Sequence, residues 1–151
     1  MPVIENTVLI RLESVIGQDY SSGFSGYDLS GAGSITVGAV DLAGMIPSAS
    51  IVYVDTVEKH GRSLGRYQGD MRFQIIAYVG GESLSERVSN ALDLSGDISK
   101  AITSDRTLGL SGTVEDVLIS RTALDGQEMG IPSVGIAMIE VSVSFSNKFG
   151  V

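Results

Sequence analysis

Between Ser83 and Phe149 the hydrophobic period of the chain changes from that of a helix to that of a strand, and the order of the change restricts the fold. Leu84, Val88, Ala91, Ser95, Ile98 and Ile102 follow a 4-3-4-3-4 spacing, which lays a mostly apolar stripe along one helix face. The helical signal stops at Asp105 to Gly109. A strand through Val117 and Ile119 follows, then a polar turn beginning at Asp125 and Gly126, then a second strand from Val134 to Ser146. A helix feeding two alternating strands buries a sheet face against the helix. No catalytic constellation accompanies this unit, so its pattern points to assembly rather than chemistry.

Upstream, Tyr67 to Val79 alternates almost without error. Tyr67, Met71, Phe73, Ile75, Ala77 and Val79 take one face, and Gln68, Asp70, Arg72 and Gln74 the other. Ile51 to Glu58 is rich in β-branched residues, and the polar stretch Lys59 to Gly65 joins the two runs into a hairpin over 51–79. A 13-residue strand extends ~43 Å, whereas a globule of 151 residues has a diameter of ~38 Å. The hairpin is therefore expected to protrude as an arm whose edges need a partner. In the last strand the apolar parity switches, from Val134, Ile136 and Met138 to Ile139, Val141, Val143 and Phe145. Such a switch requires a β-bulge or burial on both faces, and the bulge is the expectation here. Ser142, Ser144 and Ser146 form a small polar outer face.

The N-terminal part reads as a helix from Ile4 to Gly17, with Ile4, Val8, Leu12 and Val15 on one face and Leu9 and Ile16 widening it. From Gln18 to Ser50 the periodicity dissolves into glycine and serine with single aromatics, and only 35–37 and 39–40 look strand-like. This is an irregular arm or loop. The expected architecture is one domain over 1–151, of class α/β (α+β). It has a mostly antiparallel sheet of four to five strands, packed on one side by two helices at 4–17 and 84–104.

Composition removes several functions. The net charge of −8 opposes coating of nucleic acid, which needs concentrated Lys and Arg, although an acidic wall beside passing DNA keeps the duplex from sticking. With no cysteine there is no disulfide, thiolate metal site or thiol nucleophile. The N-terminus lacks the features of a signal peptide, and no apolar run reaches the ~20 residues that span a bilayer.

The chemistry-bearing residues are few. His60, the single histidine, lies in the polar turn between Lys59 and Arg62 with no G-x-S-x-G elbow to serve. Glu115 with Asp116, Asp93 with Asp97, and Asp125 with Glu128 are possible oxygen clusters, but none has metal-loop spacing. Asp93 and Asp97 are expected on the solvated side of their helix. The segment Gly31 to Gly38 lacks the residues of a phosphate loop. Catalytic, cofactor and metal residues are therefore expected to be absent. One charge pattern stands out: Lys59, Arg62, Arg66 and Arg72 supply four of the ten basic residues on the proposed arm. With Tyr67 they form the candidate interface, suited to docking on an acidic surface such as another copy of the chain.

The order Asp97, Ile98, Ala101, Ile102, Asp105, Thr107, Leu108, Gly109, then strand, polar turn at Asp125 to Gly130 and closing strand, resembles tail terminator (tail completion) proteins of long-tailed bacteriophages. The strand Met71 to Val79 ahead of the helix fits the same pattern. The resemblance runs from Ile51 to Phe149 and departs where Leu110 and Ser111 separate Gly109 from Gly112. It implies a non-enzymatic virion protein assembled in the host cytoplasm. Such a protein self-associates into a ring, usually a hexamer, between the tail tube protein and a head-completion or neck protein. DNA would pass only as cargo in the lumen, with no cofactor and no membrane. The alternatives are another neck component, such as a head-closure or connector protein, and a small-molecule-binding or hydrolytic α/β domain.

Overall fold

A computed structural model describes residues 3–31, 33–38, 47–59, 66–126 and 133–148, with the backbone alone for 66, 67, 147 and 148. Helix α1 spans Ile4–Ile16, β1 Ile35–Val37, β2 Ser48–Glu58, β3 Arg66–Gly80, α2 Leu84–Thr103, β4 Val114–Asp125 and β5 Val134–Lys148. The strands form one five-stranded sheet in the order β1-β2-β3-β5-β4. Strand β1 runs parallel to β2 and every other neighbour is antiparallel. Both helices contribute to the core on a single sheet face, as an α+β fold requires.

The register explains how the long helix approaches that face. Ala49 pairs with Ala77, Ala77 with Ala137, and Ala137 with Ala123, so one row across four strands carries only methyl groups. The adjoining row places Gly135 beside Val79 and Asp125. A β-carbon on Gly135 would lie 2.2 Å from the backbone oxygen of Arg87. Small side chains thus let the backbone of α2 come down onto the sheet. The next rows restore bulk: Ile51, Ile75 and Ile139 in one, Phe73, Val141 and Ile119 in another, Met71, Val143 and Val117 in a third. Phe73, Ile75, Met71, Val141 and Val143 are buried in the core.

At the start of α2, Ser83 Oγ accepts the Glu86 N–H at 3.2 Å, satisfying one of the free donors of the first turn. Ala91, Leu94, Ser95, Ile98 and Ile102 are buried, which matches most of the expected stripe. Leu84 departs from it, at 59% exposure, and Leu94 joins it. The close approach at Gly135 begins with Arg87, so Leu84 lies one turn ahead of the packed part of the helix. There the buried pair of Arg87 and Asp125 ties the helix to the end of β4, with Nε to Oδ1 at 2.7 Å.

Two expectations require correction. Strand β5 pairs with β3 in unbroken register from Val134 to Lys148, so the parity switch is not a bulge. Both faces are buried instead. Ala137, Ile139, Val141, Val143 and Phe145 face the helices, while Val134 and Ile136 join Tyr78 in a second cluster with Met138, Ile76 and Leu124. Register shifts occur elsewhere, between Tyr53 and Asp55 and between Val114 and Asp116. The second correction concerns the outer edge of β3, expected to lie open on the arm. The β2–β3 pairing forms as expected, but β5 runs along the other edge of β3 as far as Arg66 opposite Lys148. The core continues to Met71 and Phe145.

The segment after α1 is folded back rather than extended. Tyr20 and Leu29 are buried, Asp19 bridges Asp28, and the Leu29 N–H donates to the Gln18 carbonyl at 2.8 Å. The 35–37 reading is borne out as β1, while 39–40 lie outside the described residues.

Candidate functional site

Because both helices lie on one face, the middle of the other face is open. A depression of about 390 Å³ is lined there by Val54, Arg72, Gln74, Leu118, Glu140 and Ser142, among others. Its floor is the polar parity of β3 and β5, where Gln74 pairs with Glu140 and Arg72 with Ser142. Leu118 on β4 is 60% exposed beside it. At one rim Arg72 grips Asp55, donating from Nε to Oδ1 at 2.7 Å and from a second guanidinium nitrogen to Oδ2. That hydrogen bonding holds the Asp55 carboxyl below its ordinary range. Farther along, Ser144 Oγ donates to Asp70 Oδ1 at 2.7 Å, and Lys59 Nζ stands 3.6 Å from the same oxygen. This open surface, with polar side chains along its floor, is suited to contact with another macromolecule.

The candidate interface residues separate on inspection. Lys59 and Arg72 each face an aspartate of the same sheet. Arg66 and Tyr67 lie in the β3 backbone opposite Lys148 and Asn147. Arg62 lies outside the described residues, as does His60. Lys148 joins the basic end of the sheet through register, a relation invisible to sequence because β3 and β5 are far apart along the chain.

In each acidic cluster considered as a metal site one aspartate is engaged elsewhere in the fold. Asp116 is held by Arg106, with Nε to Oδ1 at 2.6 Å, and Asp125 by Arg87; Glu128 lies outside the described residues. Among the described residues no three His, Cys, Asp or Glu side chains converge on a metal position. Asp97, expected on the solvated side of α2, is instead 5% exposed. Its two oxygens accept the backbone N–H groups of Phe24, at 3.1 Å, and Ser25, at 2.7 Å. A side chain at Gly23 would collide with this carboxylate, its β-carbon 2.7 Å from Oδ2. Nearby, burial raises the Tyr20 hydroxyl's pKa, and the charge of Asp97 adds to the rise. Asp97 thus functions as a clasp that fixes the glycine-rich loop to α2. The Asp97→Ala variant is expected to lose about 1–3 kcal/mol, the cost of stripping buried donors of their acceptor. Amide exchange at Phe24 and Ser25 should accelerate more than exchange within β3. Unchanged protection at both amides would remove the clasp.

The sheet ends in unequal edges. Among the described residues strand β4, of 12 residues, pairs only with β5. On the opposite side, three-residue β1 covers β2 only at 49–51. Among the described residues, β4 and the rest of β2 therefore offer backbone groups without a strand neighbour, the usual template for strand addition.

No family model matches the sequence, and no curated protein matches it. Among solved structures the fold is similar to a chain in the virion of a native gene transfer agent (GTA) particle. That likeness covers 90% of this chain and 84% of the other, with a TM-score of 0.51 and 9% identity. At such identity it shows a shared α+β fold. Among the described residues, no helix is long and apolar enough to cross a membrane.

Proposed function

We propose that the chain is a structural subunit of a phage-like particle. It assembles into a ring, a hexamer, on the end of the tail tube, stops tube growth and offers the surface to which the head-completion or neck protein joins. The observation that carries this reading is the extent of the likeness to a chain of the GTA virion, 90% of the present chain, together with the sequence resemblance to tail terminator proteins. The open edges of β2 and β4 suit a subunit completed by its neighbours. The role is non-enzymatic and needs no cofactor. The acidic charge of the chain, −8, suits a lumen through which DNA passes without sticking. The site of action is the neck of the virion.

In this reading the basic end of the sheet docks on acidic protein, and Arg62 and Arg66 are its principal contributors. Exposed ion pairs contribute only ~0–1 kcal/mol each, but a ring repeats each contact at every subunit. Reversing Arg62 and Arg66 together to Glu should leave circular dichroism unchanged and weaken assembly, measured by size-exclusion chromatography with light scattering. Raising salt should weaken wild-type assembly in the same direction. A double variant that assembles like wild type at low and high salt would remove these arginines from the interface. A wild-type chain that stays a single subunit at every concentration tested would count against the ring.

A further inference from the structure

The outer side of α2 carries a groove that the sheet surface does not explain. Phe24, Leu92, Asp93, Gly96, Lys100 and Arg121 line it. Phe24 is 76% exposed and Leu92 49%, so two large apolar groups face water side by side. They are held there by structure rather than by chance. Asp97 fixes the backbone of Phe24, and Leu92 stands on the exposed side of α2, roughly opposite the buried Leu94. Lys59, Arg72, Arg87 and Arg106 are all spent on aspartates of the same chain, and Arg11 donates to the Leu108 carbonyl. Lys100 and Arg121 have no acidic partner among the described residues. Arg121 reaches only Ser95 Oγ, at 3.4 Å. Both of these cations border the groove, against the single carboxylate of Asp93. An excess of positive charge beside exposed apolar surface is unusual on so acidic a chain, and it defines the occupant: a bulky apolar side chain flanked by acids.

The same molecule presents such a group. At the start of α2, Leu84 is 59% exposed between Glu82 and Glu86, both exposed. The Glu82 N–H donates to Glu86 Oε2 at 3.4 Å, which draws the two residues to one side of the helix start. Among the described residues neither glutamate forms a salt bridge, although the charge of Glu86 also acts on Arg87, which is itself held by Asp125. Leu84 and Leu92 are separated by about 12 Å of helix at 1.5 Å per residue, so a molecule cannot fill its own groove. We infer that the groove of Phe24, Leu92, Lys100 and Arg121 receives the Glu82–Leu84–Glu86 knob of a second copy of this chain. The apolar groups are buried at the centre of the contact and the charges pair around it, the arrangement that gives specificity at protein interfaces. This inference rests on the self-association in the proposed function and names a contact for it that is separate from the sheet edges.

A charge exchange tests it. One protein carries Lys100→Glu and Arg121→Glu, and the other Glu82→Lys and Glu86→Lys. Each alone should associate at a concentration roughly tenfold or more above that of wild type, because each knob now meets a groove of its own sign. Mixed in equal amounts they should associate again, since both kinds of knob then find an opposite groove. Thermal melting of each variant checks the fold, including the Glu86 contact at the helix start. Phe24→Ser, which changes no charge, should weaken association without being rescued by the mixture. If wild type associates and both charge variants do so equally well, or if the mixture shows no rescue, the groove contact is overturned while the ring reading stands. If wild type does not associate at all, both fall together.

Discussion

Gly135→Ala is expected to cost about 3 kcal/mol of stability, and Gly135→Val more, from a position that carries no side chain in the native protein. The new β-carbon would stand 2.2 Å from the Arg87 carbonyl oxygen and 2.8 Å from its carbonyl carbon. Both atoms are backbone, so no rotamer change relieves the overlap. Helix α2 would have to lift from the row of alanines on which it rests. Overpacking a well-filled core costs typically ~1–3 kcal/mol, and here the displaced element is a whole helix. A loss of this size is a large share of the ~5–15 kcal/mol that holds a domain together. Gly80→Ala is the control, because a β-carbon there meets nothing within 4 Å, and its effect should stay within ~0.5 kcal/mol. Urea unfolding of the two variants makes the comparison. Equal midpoints would mean that α2 does not approach the sheet through Gly135.

Phe73→Ala should be as damaging for the opposite reason. Phe73 is 1% exposed in the middle of the sheet, between Tyr53 and Val141 in register. Its ring meets that of Tyr53 edge to face at 5.7 Å. Truncating a buried phenylalanine removes transferred apolar area and leaves a cavity, together ~3–5 kcal/mol. Tyr53→Ala should cost far less, since Tyr53 is exposed and little void would result. Denaturation midpoints of the two variants should therefore differ strongly, and near-equal losses would place the core elsewhere.

The helices and the β2–β3 pairing were legible because each is written in local periodicity. The spacing of Val8, Leu12 and Ile16 and the alternation from Met71 to Val79 each specify one buried face. The two faces of β5 were misassigned because periodicity counts apolar residues without knowing how many layers cover them. Val134 and Ile136 have a second cluster beneath them that only Tyr78, Ile76 and Leu124, from other strands, make visible. Asp97 escaped for a related reason. A carboxylate at a helical i+4 from Asp93 looks solvated until a distant loop turns its N–H groups toward it. That Lys100 and Arg121 meet no acidic partner among the described residues was equally hidden, because it depends on which aspartates the other cations reach across the fold. Pairing of Lys59 with Asp70 and of Arg72 with Asp55 was hidden in the same way. Register and long-range hydrogen bonds settle such matters, and neither has a signature in a short window of sequence.

The central claim is that this chain ends a tail and joins it to a head, and tail length tests it most directly. Particles would be assembled without the protein and imaged by electron microscopy, with tail length and head attachment scored for each. The expected result is tails that are abnormally long or that carry no head, restored to normal when the purified protein is supplied during assembly. Tails of normal length joined normally to heads in its absence would contradict the account.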